Sequence, residues 1–207
     1  MIAALLLASE IAVGASADAL IDRVVARYGS MKQYRDSGEA VDPGVLSADK
    51  VTFRTEFSRP GKIRFEWNEP RLGVRHAIVS DGVETYMISQ AGKDPEERRD
   101  DYDLSMALNS AAGASRGASV RVPSILLWGK IDGPTIRSMR RSKIEREDVV
   151  DDRPVWVAAG EYGDLLLRLF VDKTEFLILR TELASSRDAK DILEAVHYRP
   201  NLDDAKL

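Results

Sequence analysis

Residues Val51 to Ser89, VTFRTEFSRPGKIRFEWNEPRLGVRHAIVSDGVETYMIS, alternate in character with a period of two. Val51, Phe53, Thr55 and Phe57 fall on one face, as do Ile63, Phe65 and Trp67, while Arg54, Glu56, Lys62, Arg64 and Glu66 fall on the other. Successive strand side chains point to opposite faces, so this pattern dictates antiparallel strands with one dry and one wet side, joined at an Arg59-Pro60-Gly61 corner. A turn at Asp81-Gly82 leads into a further strand bearing Tyr86. A chain with this stretch needs a cover for its row of large aromatics.

Two segments can supply it. From Asp18 to Tyr28, the residues Leu20, Ile21, Val24, Val25 and Tyr28 keep the spacing of an amphipathic helix, with Asp18 placed to cap it and Gly29 near its end. Further on, Val122-Pro123-Ser124-Ile125-Leu126-Leu127-Trp128-Gly129 predicts one or two helical turns that are apolar all round and so must be buried. This second segment follows Ala111 to Ser119, almost wholly small residues, for which a mobile connection is expected. Before it, Lys93 to Asp103 is almost wholly charged, and Asp103 can cap a short helix with Leu104, Leu108 and Ala111 on one side.

The remaining chain is strand-like. Ser37 to Val41 reads as a first strand ended by the Asp42-Pro43-Gly44 turn. Ile144 to Val150, Val155 to Tyr162, Leu165 to Val171, Leu177 to Leu183 and Asp191 to Tyr198 read as strands of an antiparallel meander. They are separated by turns at Asp151-Asp152-Arg153-Pro154, Gly163-Asp164, Asp172-Lys173-Thr174 and Arg187-Asp188-Ala189. The fold class is α+β, a curved antiparallel sheet covered by an N-terminal helix and short lid helices.

Composition narrows the function. A 207-residue chain with 44% hydrophobic residues can bury one good core. A net charge of -4 lacks the basic excess that attracts phosphate backbones, which argues against nucleic acid as a partner. The absence of cysteine removes disulfides, thiolate metal sites, cysteine nucleophiles and a lipid-bearing cysteine anchor. At the N-terminus, the apolar run Ile2 to Ala8 and the small residues Ala15-Ser16-Ala17 fit a signal peptide spanning residues 1–17, leaving a single domain from residue 18 to 207. No lysine or arginine precedes the run and Glu10 interrupts it. No later stretch is apolar over the roughly 20 residues needed to cross a bilayer.

Catalytic patterns are sparse. Gly113-Ala114-Ser115-Arg116-Gly117 satisfies G-x-S-x-G, but a nucleophile elbow needs a strand leading in and a helix leading out, and here a helical pattern leads in. The two histidines, His76 and His197, fall in strands with no second histidine at metal-ligand spacing. The acidic clusters at Asp100, Asp101 and Asp103, at Asp148, Asp151 and Asp152, and at Asp203 and Asp204 lack the glycine and glutamate of a calcium loop and read as solvated turns. No enzyme activity, cofactor or metal is expected. What remains is the apolar surface: either a filled core under permanently packed helices, or a pocket whose Ile125 to Trp128 cover moves aside.

The residues also resemble a known family. Arg59-Pro60 followed by Ile63, Phe65 and Trp67, then Pro70, then Val79-Ser80-Asp81-Gly82 and Tyr86, is similar to the LolA/LolB family of bacterial lipoprotein carriers. The helix before the first strand, the proline-led apolar lid, Leu169-Phe170-Val171-Asp172 with Leu177-Ile178-Leu179-Arg180, and the closing Tyr198-Arg199-Pro200-Asn201 extend the resemblance over nearly the whole mature chain. It implies an incomplete barrel closed by helices around a hydrophobic cavity that receives acyl chains in the periplasm. The cavity lining would then include Phe53, Phe57, Phe65, Trp67, Tyr86, Ile125, Leu126 and Trp128, and Arg59 would tie the sheet to lid-helix carbonyls as a latch. Implied partners are lipid or acylated lipoprotein, with membrane transport machinery and transient membrane contact, and the protein would be a monomeric carrier or chaperone in outer-membrane biogenesis. The polar segment Arg71 to His76 and the charged insert Lys93 to Asp103 depart from the family pattern, and the lack of cysteine excludes its lipidated branch. Relatives of the same fold act as envelope signalling proteins that bind a protein segment, which is the alternative function.

Overall fold

The structure is a computed structural model that describes residues 16–44, 50–94, 96–99, 102–185 and 188–201. The expected signal segment up to Ala15, and Asp100, Asp101, Arg187, Asp203 and Asp204, lie outside the described residues. Among the described residues the strands form one antiparallel sheet of 11, in the order β6-β5-β4-β3-β2-β1-β11-β10-β9-β8-β7. The first half is β1 (Gln33–Val41), β2 (Val51–Ser58), β3 (Lys62–Glu69), β4 (Val74–Ser80), β5 (Thr85–Ala91) and β6 (Glu97–Arg99). The second half is β7 (Arg140–Val150), β8 (Arg153–Tyr162), β9 (Leu165–Asp172), β10 (Ile178–Ser185) and β11 (Ile192–Pro200).

Each half is a meander, and the halves meet where β1 pairs with β11, from Asp36 opposite Pro200 to Val41 opposite Ala195. The connection from β6 to β7 therefore joins the two outer edges of the sheet. Ten strand spacings of about 4.8 Å separate those edges along the sheet. The chain must cross a whole face to get there, and it does so through α2 (Leu104–Ser110) and α3 (Arg121–Leu126). The lid is thus a consequence of topology as much as of its own hydrophobicity. With α1 (Ala17–Ser30), which packs on α3, β7 and β8, these helices cover the dry face of an unclosed barrel.

Several boundaries differ from the sequence expectation. The N-cap of α1 is Ser16, whose hydroxyl accepts from Ala19 N at 3.2 Å, whereas Asp18 accepts from the Ser142 hydroxyl on β7. A chain beginning at Asp18 would start without this cap. The first strand begins at Gln33 instead of Ser37, because Tyr34 and Asp36 continue its buried face. The small-residue connection expected to be mobile is packed: Ala111, Ser115, Ala118 and Ser119 are buried, Ser119 Oγ donates to Leu108 O at 2.8 Å, and Ser115 Oγ accepts from Ser119 N at 3.1 Å. Small side chains let this backbone pack closely on the core. Within the charged insert, Glu97–Arg99 forms the short edge strand β6.

Candidate functional site

The inner face of β2 and β3 carries the aromatic row. The rings of Phe53 and Phe65 lie 6.0 Å apart, those of Phe65 and Trp67 5.8 Å, and Tyr198 of β11 meets Phe53 edge-on at 5.4 Å. Gly38 makes room for this: a Cβ there would lie 2.3 Å from the Phe53 ring and 2.1 Å from His197 O. Leu20, Val24 and Tyr28 of α1 and Ile125 and Leu126 of α3 belong with the row to one continuous core that also takes in Phe57. Phe65, Ile125 and Leu126 are each 0% exposed, so no water-sized opening reaches them and the interior is closed in this state. Two residues expected in the lining lie elsewhere. Tyr86 pairs with Val79, which pairs with Arg64, and so stands on the outer face under the Arg98 guanidinium at 3.8 Å. Trp128, just past α3, is 48% exposed, with the Arg137 guanidinium 5.3 Å from its ring.

One side chain joins the sheet to both helices. Arg59, at the β2–β3 corner, donates from Nη2 to Tyr28 O at 3.0 Å, from Nε to Met31 O at 3.0 Å, and from Nη1 to Leu126 O at 3.2 Å. Helix ends leave carbonyls without intrahelical donors, and a guanidinium offers several donors in a rigid fork, so one arginine serves the ends of α1 and α3 together. Its guanidinium carbon also lies 5.2 Å from the Phe57 ring, and Lys130 Nζ donates to Pro60 O at 3.2 Å, holding the exit of the lid to the same corner.

The opposite end of α3 is held by a residue that the sequence reading missed. Arg121 is buried, donates from Nη1 to Thr181 Oγ1 at 3.2 Å, and pairs with Glu194 of β11. Gly117, at φ +78, leaves space that a Cβ would contest, since it would lie 2.7 Å from the Arg121 guanidinium carbon. A second missed group is Asp36 on β1. Tyr34 Oη donates to its Oδ2 at 2.7 Å and Thr55 N to its Oδ1 at 3.1 Å. Burial pushes this carboxyl from its ordinary 3.8 up to about 6, and the Thr55 and Tyr34 hydrogen bonds only partly oppose it. Tyr28 Oη accepts from Ile178 N at 3.1 Å, and the buried Tyr198 hydroxyl lies beside Thr181.

Ser115 lies in a run of turns between α2 and α3 with its hydroxyl held by Ser119 N, so no strand leads into it. His76 stacks on Trp67 at 4.7 Å, with Nδ1 2.9 Å from Ser89 Oγ and Nε2 3.2 Å from Glu69 Oε1 but not aligned for a hydrogen bond. Burial lowers its pKa and Glu69 opposes that shift. His197 Nε2 is 2.9 Å from Asp151 Oδ2. Among the described residues no group of three histidines or carboxylates converges on a metal position, and no helix is long and apolar enough to cross a membrane.

No protein-family model matches the sequence, and no curated protein matches it. Solved structures do match in fold. The Mycobacterium tuberculosis lipoprotein LppX aligns over 88% of this chain and 92% of its own, with 8% identity and a TM-score of 0.51. A structure of MucB aligns over 90% of this chain with 18% identity and a TM-score of 0.51. Pseudomonas aeruginosa MucB in complex with MucA aligns over 88% with 16% identity and a TM-score of 0.50. The chain spans 59% and 55% of these two MucB structures. At these identities the likeness is one of fold. The fold is the α+β architecture expected from the sequence: an open antiparallel sheet with helices across its inner face.

Proposed function

We propose that this protein is a non-enzymatic, periplasmic carrier that receives the acyl chains of a lipid or acylated lipoprotein between its sheet and its helices. The observation that carries this reading is the Arg59 latch over a largely apolar interior: one side chain bonds the ends of α1 and α3, two of the three covering helices, so one local event loosens both ends. An entering chain would displace Ile125 and Leu126 from the aromatic row and meet Phe53, Phe57, Phe65 and Trp67. The likeness to LppX and MucB supports an extracytoplasmic address, and the fold of a carrier suits exchange with membrane transport machinery and transient membrane contact.

A second reading, binding of a protein segment in envelope signalling, is favoured by one observation, the filled interior of the closed state, together with the likeness to MucB, whose structure includes MucA. Solvent extraction of the protein purified from an envelope fraction, followed by mass spectrometry, separates the two. The carrier reading expects lipid at about one molecule per chain. Its continued absence after incubation with lipoprotein-rich membranes would favour the second reading.

A further inference from the structure

The helix α3 is six residues long, too short to hold its shape alone in water, so its place in the core depends on what grips its ends. The two ends are gripped unequally. At the start, the Arg121 side chain is 6% exposed and ties α3 to two interior strands of the sheet, donating to Thr181 Oγ1 of β10 at 3.2 Å and pairing with Glu194 of β11. The chain leading in is fixed as well, through the buried bond from Ser119 Oγ to Leu108 O, and Ser124 Oγ donates to Arg121 O at 3.0 Å within the first turn. Withdrawing an enclosed guanidinium breaks an ion pair and its hydrogen bonds together and leaves a half-buried carboxylate unpaired.

At the far end, the polar ties between sheet and lid among the described residues are the Arg59 bond to Leu126 O and the bond from the exposed Lys130 to Pro60 O, each 3.2 Å. Groups at this half-buried corner can exchange their partners for water. Trp128, Gly129 and Lys130 are exposed, and the chain is next held at Asp132, whose N–H donates to Ser105 Oγ of α2 at 2.8 Å. Residues 128–131 thus supply slack. The neighbouring α1 has none, because Arg27 pairs with Glu175 at 3.0 Å, Asp22 with Arg137 at 2.9 Å, and the Arg23 guanidinium lies 4.0 Å from the Phe176 ring centre.

From this unequal grip we infer that α3 opens by swinging about Arg121, so that the mouth of the interior forms at the β2–β3 corner, between Arg59, the end of α1 and Trp128. Arg121 is then a positioning residue, which stays with the sheet while the Arg59 end lifts and returns Leu126 to the same acceptor position on closing. From that mouth the aromatic row leads inward from Phe57, beside Ile63 near the corner, to Phe65 and Trp67 further along β3. The use of this mouth by an acyl chain rests on the carrier reading, whereas the hinge does not.

Distances between spin labels on the full chain, measured by double electron–electron resonance, test the hinge, and the lack of native cysteine makes the labelling specific. One pair, Val83→Cys with Trp128→Cys, spans the corner, since a Cβ on Gly82 would lie 3.7 Å from the Gly61 carbonyl carbon and both labelled positions are exposed. The other pair, Gly113→Cys with Leu193→Cys, reports the chain leading into Arg121 against the strand of Glu194. In Arg59→Leu the corner distance is expected to lengthen by about one helical turn, roughly 5 Å, with the second distance unchanged. Palmitate added to the native chain should give the same asymmetry. Arg121→Met should broaden the second distance, and Arg121→Lys, which keeps the charge, should narrow it again; if Arg121→Met does not fold, the two pairs in Arg59→Leu decide. Equal lengthening of both pairs, lengthening confined to the second, or no change in either in Arg59→Leu would overturn the hinge, as would an Arg121→Met chain whose second distance stays as narrow as the native one. Palmitate that moves neither pair, while Arg59→Leu lengthens the corner distance, would count against the carrier reading alone.

Discussion

Replacing Arg59 with leucine is expected to raise hydrogen exchange at the α3 amides about 30-fold. The substitution removes three hydrogen bonds from a charged donor to Tyr28 O, Met31 O and Leu126 O. Water replaces part of what is lost, so the net effect on closing is about 2 kcal/mol, and each 1.4 kcal/mol is a factor of ten. Local opening energies of this size are read directly from amide exchange. Arg59→Lys should fall between the two, since an ammonium keeps the charge without the planar fork that reaches three carbonyls. Retention of a bound acyl ligand should change in the same order. Exchange in α3 that is the same in all three proteins would remove Arg59 from the latch role.

The second large effect is pH-dependent and centres on Asp36. Its carboxyl is raised to about 6 in the folded protein from an ordinary 3.8, with burial as the main cause. The folded state therefore holds a proton that the unfolded chain has released between these two values. The associated stability is fully present below about pH 4 and is lost as pH rises through about 6, by about 3 kcal/mol in total. Asp36→Asn keeps an acceptor for Thr55 N and replaces the carboxylate with a neutral amide beside Tyr34 Oη. Urea unfolding at pH 4, 5, 6 and 7 should show the native chain losing stability relative to Asp36→Asn across that window, the variant being the more stable at pH 7. Parallel curves would show that Asp36 does not titrate as its burial dictates.

These two residues also mark where the sequence was legible and where it was not. The alternation in Val51 to Ser58 and Lys62 to Glu69 announced which face of β2 and β3 is dry, and every aromatic on that face is buried. Period-two reading assumes that charge points outward. It stopped short at Ser37 because Asp36 occupies an inward position, satisfied by Tyr34 and Thr55 in a way no local pattern reveals. The same assumption began the lid at Val122 and passed over Arg121, whose partners Thr181 and Glu194 are distant in sequence. Tyr86 was misplaced for a different reason. The turn from Asp81 to Glu84 pairs Ser80 with Thr85, which carries the outward phase of Arg64 through Val79 to Tyr86 and leaves Met87 facing in. That phase was available by counting, but an aromatic residue outweighed the register. The packing of Ala111 to Ser119 was hidden because small residues report neither burial nor exposure.

The central claim is that the space between the aromatic row and α3 opens to an acyl chain. Its most direct test is photo-crosslinking of the intact protein with a diazirine-bearing palmitate, followed by peptide mapping. Labels on Phe65, Ile125 and Leu126, increased in Arg59→Leu, are the predicted result. Labels confined to the outer face around Tyr86 and Ile88, or none after prolonged incubation, would contradict it.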